Sequence, residues 1–139
     1  AMGGAPREVP LYASGGFNTL QSPQEAAESA ARQSALGYRG VKPRVSGRRS
    51  DTAVMEAVRK AIPDGVEMMV DANEKCSALT ARRLAACAVA CGALFVEEPL
   101  PADDLAGFLD SRRGADRAPG KIKLRQGRCQ SLRRTRRGI

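Results

Sequence analysis

Two short apolar runs in this chain end in acid. Val66-Glu67-Met68-Met69-Val70 leads into Asp71 and, two residues on, Asn73, while Ala93-Leu94-Phe95-Val96 leads into Glu97, Glu98 and Pro99. Carboxylates at the tips of two buried-type strands suit a hard divalent cation, which takes oxygen ligands. Asp71 taken alone reads equally as the cap of a turn; the matching position of Glu97 is what favours the cation. A third polar stretch, Lys42-Pro43-Arg44, closes another short run, Gly40-Val41. Strand alternation puts Lys42 and Arg44 on one face, where they are either functional cations or solvated strand-end charges.

The elements that must position these residues alternate regularly. Strands are expected to start near residues 9, 40, 66 and 93, a repeat of roughly 26 to 31 residues. Ser22-Pro23-Gln24-Glu25 carries a capping box with proline at the first helical position, which predicts a helix to about Leu36, stopped by Gly37. Val54, Met55, Val58 and Ile62 form one apolar face of a second helix, capped by Asp51 and ended by Pro63-Asp64-Gly65. A third helix is expected from Leu79 to Cys91, and Asp103 to Leu109 begins a fourth. Pro43 cannot donate to a ladder, so it predicts interrupted pairing in the second strand. Such alternation implies right-handed βαβ units and a parallel sheet, either open and doubly wound or part of an eight-stranded barrel. No Gly-x-Gly-x-x-Gly follows the first strand, so dinucleotide binding has little support.

At 139 residues the chain can build one domain core. Its net charge of +8 is confined to the end: residues 1–110 hold 12 Lys+Arg against 14 Asp+Glu, and residues 111–139 hold 11 against 1. The isoelectric point therefore says little about the domain. Cys76, Cys87, Cys91 and Cys129 are irregularly spaced and no histidine is present, so a mixed zinc site has no support; Cys87 and Cys91 share a helix face and read as small core residues. Without a leader or a long apolar run, the expected location is the cytoplasm.

Gly37-Tyr38-Arg39-Gly40-Val41-Lys42-Pro43-Arg44, then Val70-Asp71-Ala72-Asn73, then Phe95-Val96-Glu97-Glu98-Pro99, with their intervals, resemble the mandelate racemase and muconate lactonizing enzyme branch of the enolase superfamily. The resemblance spans about residues 3–110. It implies an α/β fold, a partial (β/α)8 TIM-type barrel of about four βα units with an irregular basic C-terminal tail. It also implies Mg2+-dependent abstraction of the proton α to a carboxylate, giving a metal-stabilised enediolate, as in acid-sugar dehydratases and racemases. Asp71 and Glu97 match metal ligands, Glu98 a residue that hydrogen-bonds beside them, and Asn73 a polar position near substrate. Lys42 and Arg44 stand where the family often has Lys-x-Lys, a pair that neutralises the substrate carboxylate and moves the proton. Arginine stays protonated and makes a poor base, so Arg44 is assigned to carboxylate binding or electrostatic stabilisation.

The departures set the remaining expectations. No third metal ligand, opposite-face base or later barrel strand is visible after Asp110, and no capping domain precedes Gly3. The expected division is residues 1–110 as the N-terminal half of an enolase-superfamily barrel domain and residues 111–139 as an Arg-rich tail, disordered or frame-shifted. The chain alone is expected to be inactive, with Mg2+ weakly held or absent, and to self-associate through unpaired strand edges. A small carboxylate or sugar acid is the expected substrate of the complete enzyme. The alternatives are a polyanion or nucleic-acid binder acting through the tail, which lacks interleaved aromatics, and a folded module with no activity.

Overall fold

In the computed structural model, which describes residues 8–116 and 123–125, strand and helix alternate through the chain. The order is β1 (Tyr12–Ala13), α1 (Pro23–Ala35), β2 (Gly40–Val41), α2 (Asp51–Ala61), β3 (Glu67–Met68), β4 (Val70–Asp71), α3 (Ala78–Ala90), β5 (Phe95–Glu97), α4 (Leu105–Asp116) and β6 (Lys123–Arg125). All strand pairs are parallel, in the orders β1-β2-β3 and β4-β5-β6. A further parallel bridge between Arg44 and Asp71 links the two sheets. Among the described residues the strands therefore follow one another across the sheet in chain order, with β4 continuing β3 and no reversal.

β3 and β4 are one extended segment broken at Met69. The Met69 amide donates to the Val41 carbonyl (3.0 Å) and the Asp71 amide to the Pro43 carbonyl (3.1 Å). In that register the donor facing the Met69 carbonyl would be the N–H of residue 43, and proline has none. Pairing resumes beyond it, where the Val45 amide donates to the Asp71 carbonyl (2.9 Å).

The helices form for the reasons their sequences suggest. Ser22 caps α1 with its hydroxyl on the Glu25 amide (3.2 Å), and Glu25 returns a carboxylate to the Ser22 amide (2.7 Å). Leu36 ends the helix and Gly37 follows at φ 88°. Val54, Met55, Val58 and Ile62 are all buried. Asp51, expected as the cap of α2, is instead its first residue. Its carboxylate reaches back to the amides of Ser46 (3.0 Å) and Arg48 (2.8 Å) and so fastens the loop after β2. Capping and loop anchoring both exploit a short side chain beside free amides, so sequence alone does not separate them.

One core joins the helices to one face of the strands. Val41, Met68, Val70 and Val96 pack with Ala26 and Ala30 of α1, Met55 and Val58 of α2, and Leu84 and Ala88 of α3. Phe108 of α4 packs on the same cluster. Alternation sends Tyr12, Gly40, Lys42, Met69, Asp71, Phe95 and Glu97 to the other face.

The boundary expected at residue 110 is crossed by α4, which continues to Asp116. Ser111 is fully buried, and Asp110 pairs with Arg82 of α3. Beyond it, Lys123–Arg125 pairs with β5, with Leu124 packed against the core. Regular structure thus extends past residue 110. Serine is a poor mark of burial and the charges outnumber the apolar contacts, so the periodicity was masked. The rest of the expected tail, 117–122 and 126–139, lies outside the described residues.

Candidate metal and carboxylate site

The last residues of β4 and β5 lie side by side, with Asp71 and Glu97 in register. Lys42, on the segment following β2, points between them. Its ammonium donates to Glu97 Oε2 and lies 3.5 Å from Asp71 Oδ2. The Lys42 and Asp71 side chains are each only 8% exposed, whereas Glu97 is more open at 28%. Burial draws the lysine pKa down, but the hydrogen bond that Lys42 donates to Glu97 and the charges of Asp71 and Glu97 outweigh it, so the net shift is upward. Lys42 is held as a cation.

Three residues at these strand ends have a left-handed backbone without being glycine: Asn73 (φ 46°), Glu74 (φ 60°) and Glu98 (φ 45°). Such conformations cost about 1–3 kcal/mol each and persist only where the surroundings impose them. Here they are imposed by a chain of hydrogen bonds. The Asn73 amide donates to Asp71 Oδ1 (3.0 Å), the Glu74 amide to the Glu98 carbonyl (2.7 Å), and the Glu98 amide to the Arg125 carbonyl (2.7 Å). The turns after β4 and β5 and the last residue of β6 are thereby tied together, and Asp71 is fixed in direction by its own turn. Glu98 is half-buried. Burial first, then the charges of Asp71, Glu97 and Glu74, push its pKa up, with Lys42 opposing.

Of the six residues singled out in the sequence, Lys42, Asp71 and Glu97 make one cluster, with Asn73 and Glu98 in the turns that border it. Arg44 is exposed; its backbone bridges Asp71, but among the described residues its side chain makes no ion pair. Two neighbours were not anticipated. The Lys42 ammonium sits over the Tyr12 ring, 5.6 Å from its centroid, and Glu74 shares the turn network. Tyr12 is opposite Gly40 in register, and a Cβ on Gly40 would lie 3.1 Å from Met69 Cε and 3.2 Å from Tyr12 Cβ. Glycine there lets the tyrosine and methionine approach beneath Lys42. Only the register between strands reveals this, and a single sequence does not carry it.

The two carboxylates already converge on one cation, the Lys42 ammonium, and their hard oxygens fit Mg2+ as two of the ligands of its octahedron. Among the described residues no group of three or more Asp, Glu, Cys or His side chains could hold an ion. Cys76 and Cys91 are buried, with pKa values pushed up by that burial, and they stand apart from the site. No helix among the described residues is long and apolar enough to cross a membrane.

Parallel strands in sequential order, with acid at the tips of β4 and β5, define an α/β domain with a polar strand-end site. The chain belongs to the enolase C-terminal domain-like family, whose model matches residues 25–122. Solved structures agree. A mandelate racemase/muconate lactonizing enzyme-like protein from Rubrobacter xylanophilus is 32% identical, with a TM-score of 0.71 over 88% of this chain and 33% of its own. An enolase from alpha proteobacterium BAL199 with bound Mg is 28% identical, with a TM-score of 0.74 over 88% of this chain and 34% of its own. A protein assigned as a mandelate racemase from Bordetella bronchiseptica RB50, complexed with 2-oxoglutarate/phosphate, is 26% identical, with a TM-score of 0.76 over 86% and 31%. The chain therefore spans about a third of the length of these relatives. Among curated proteins none matches the chain.

Proposed function

We propose that this chain carries the first part of a Mg2+-dependent site that removes the proton α to a carboxylate, of the acid-sugar dehydratase or racemase type, in an arc of a (β/α)8 barrel. The barrel reading is supported by the unreversed strand order and by the single helix layer. In a barrel the strand tips carry the chemistry.

The observation that carries the reading is the convergence of Asp71 and Glu97 on one buried cation. Asp71 and Glu97 would hold the metal. Bound there, Mg2+ would supply Lewis-acid stabilisation of the charge that develops on the substrate carboxylate. Lys42 and Arg44 present two positive charges on the same strand segment to neutralise and orient that carboxylate. Asn73 offers an amide at the rim, and Glu98 ties the tip of β5 to the neighbouring turns through its backbone. Among the described residues of the cluster, Lys42 is engaged by Glu97 and Asp71 and these acids face its ammonium, so no base is assigned.

Alone, therefore, the chain is assigned no appreciable turnover. Solvent-deuterium exchange at Cα of hydroxy and sugar acids, followed by NMR with and without Mg2+, tests this. Exchange at the buffer rate is expected. Exchange at an enzymatic rate that disappears in Asp71→Asn would overturn the inactive assignment and place a complete site in this chain.

A further inference from the structure

The position of Lys42 has a consequence for metal binding, and it rests on the carboxylate-pair reading above. The ammonium contacts Glu97 Oε2 and lies 3.5 Å from Asp71 Oδ2. These are the oxygens that an ion shared by the two strand tips would need. A buried ammonium and a divalent ion cannot occupy one gap between two carboxylates, because both would compete for the same lone pairs and repel each other at short range.

We propose that Lys42 is a built-in counter-ion of the Asp71–Glu97 pair, and that a divalent cation binds this pair only by displacing the Lys42 ammonium. The remainder of the cluster is compatible with such an exchange. The Lys42 stem is unbranched and its ammonium already lies over the exposed Tyr12 ring, 5.6 Å from the centroid, so that contact can be kept when the carboxylates take another partner. Asp71 is held in direction by the Asn73 amide on its other oxygen, Oδ1, so the carboxylate need not move when its partner changes. Metal affinity is then set by a competition inside the chain. The lysine freed by the metal becomes available to a substrate anion only when the metal is in place, an order of binding written into the site.

The experiment is a Mn2+ titration followed by EPR of the free ion, on the full chain with and without Lys42→Met. Lysine acetylation read by mass spectrometry is run in parallel. Displacement predicts that the Lys42→Met chain binds Mn2+ about tenfold more tightly, a change of about 1.4 kcal/mol. It also predicts that Mn2+ raises acetylation of Lys42 in the unaltered chain several-fold relative to the exposed Lys60 and Lys75. Equal or weaker binding by Lys42→Met, or a Mn2+-bound chain in which Lys42 stays as protected as before, overturns displacement and leaves the carboxylate-pair reading standing. Binding by neither chain overturns both. If Lys42→Met does not fold, the acetylation arm decides alone, because it uses the unaltered protein.

Discussion

Lys42 is the residue on which the cluster depends, because it is the single described cation set between two carboxylates at the tips of β4 and β5. Its folded pKa is raised, so its ion pairs stabilise the fold fully below the ordinary lysine value of 10.5 and are lost as pH climbs through the folded value. Thermal melts across pH 8 to 12 should therefore show stability falling at the alkaline end, and this fall should be reduced in Lys42→Met. Near neutral pH the same substitution leaves two adjacent carboxylates uncompensated and should cost about 3 kcal/mol, read by urea titration. Glu98 has the opposite kind of effect. Its carboxyl pKa is also raised, but there the raised value means that the charged form is disfavoured in the fold, so the contribution of Glu98 to stability is greatest at acid pH and declines as pH rises past the ordinary glutamate range. Glu98→Gln should melt higher than the unaltered chain at pH 7 and no higher at pH 4. The acids themselves were readable in the sequence because each ends an apolar run. Tyr12 and the turn network of Glu74 and Glu98 were not, because they depend on which strands are neighbours and in what register.

At the scale of elements, the boundaries that local chemistry dictates were legible and those that packing dictates were not. The capping box at Ser22 and the glycine after Leu36 delimit α1 within a residue. Pro43 interrupts the pairing between β2 and the segment beside it, because its missing N–H falls opposite Met69. The start of α4 was legible at Asp103 to Leu109, whereas its second half and β6 were hidden, since buried Ser111 and the single apolar Leu124 leave no periodic signal among so many arginines. Gly47 gives this scale its sharpest test. It has φ 79°, and a Cβ there would lie 2.8 Å from Cys76 Sγ and 3.1 Å from Thr80 Oγ1, where the loop after β2 meets the start of α3. The Gly47 carbonyl also accepts from Arg83. Gly47→Ala should destabilise by about 1–3 kcal/mol through strain and crowding, measured as a shift in the urea midpoint at constant slope.

Among the described residues, parallel strands lie side by side against the helices, with β1 and β6 at the two ends of the strand order. An edge strand offers free N–H and C=O groups to another chain, and the strand face opposite the helices exposes Tyr12. Sedimentation velocity should accordingly show association that grows with protein concentration; a monomer throughout would contradict the barrel-arc reading. The most direct test of the central claim, that Asp71 and Glu97 together hold a divalent ion, is a Mn2+ titration by EPR of the unaltered chain against Asp71→Asn and Glu97→Gln. The account expects weak binding to one site, lost in either variant. Binding that survives both substitutions would show that the ion sits elsewhere and that the acid-tipped strands are not its ligands.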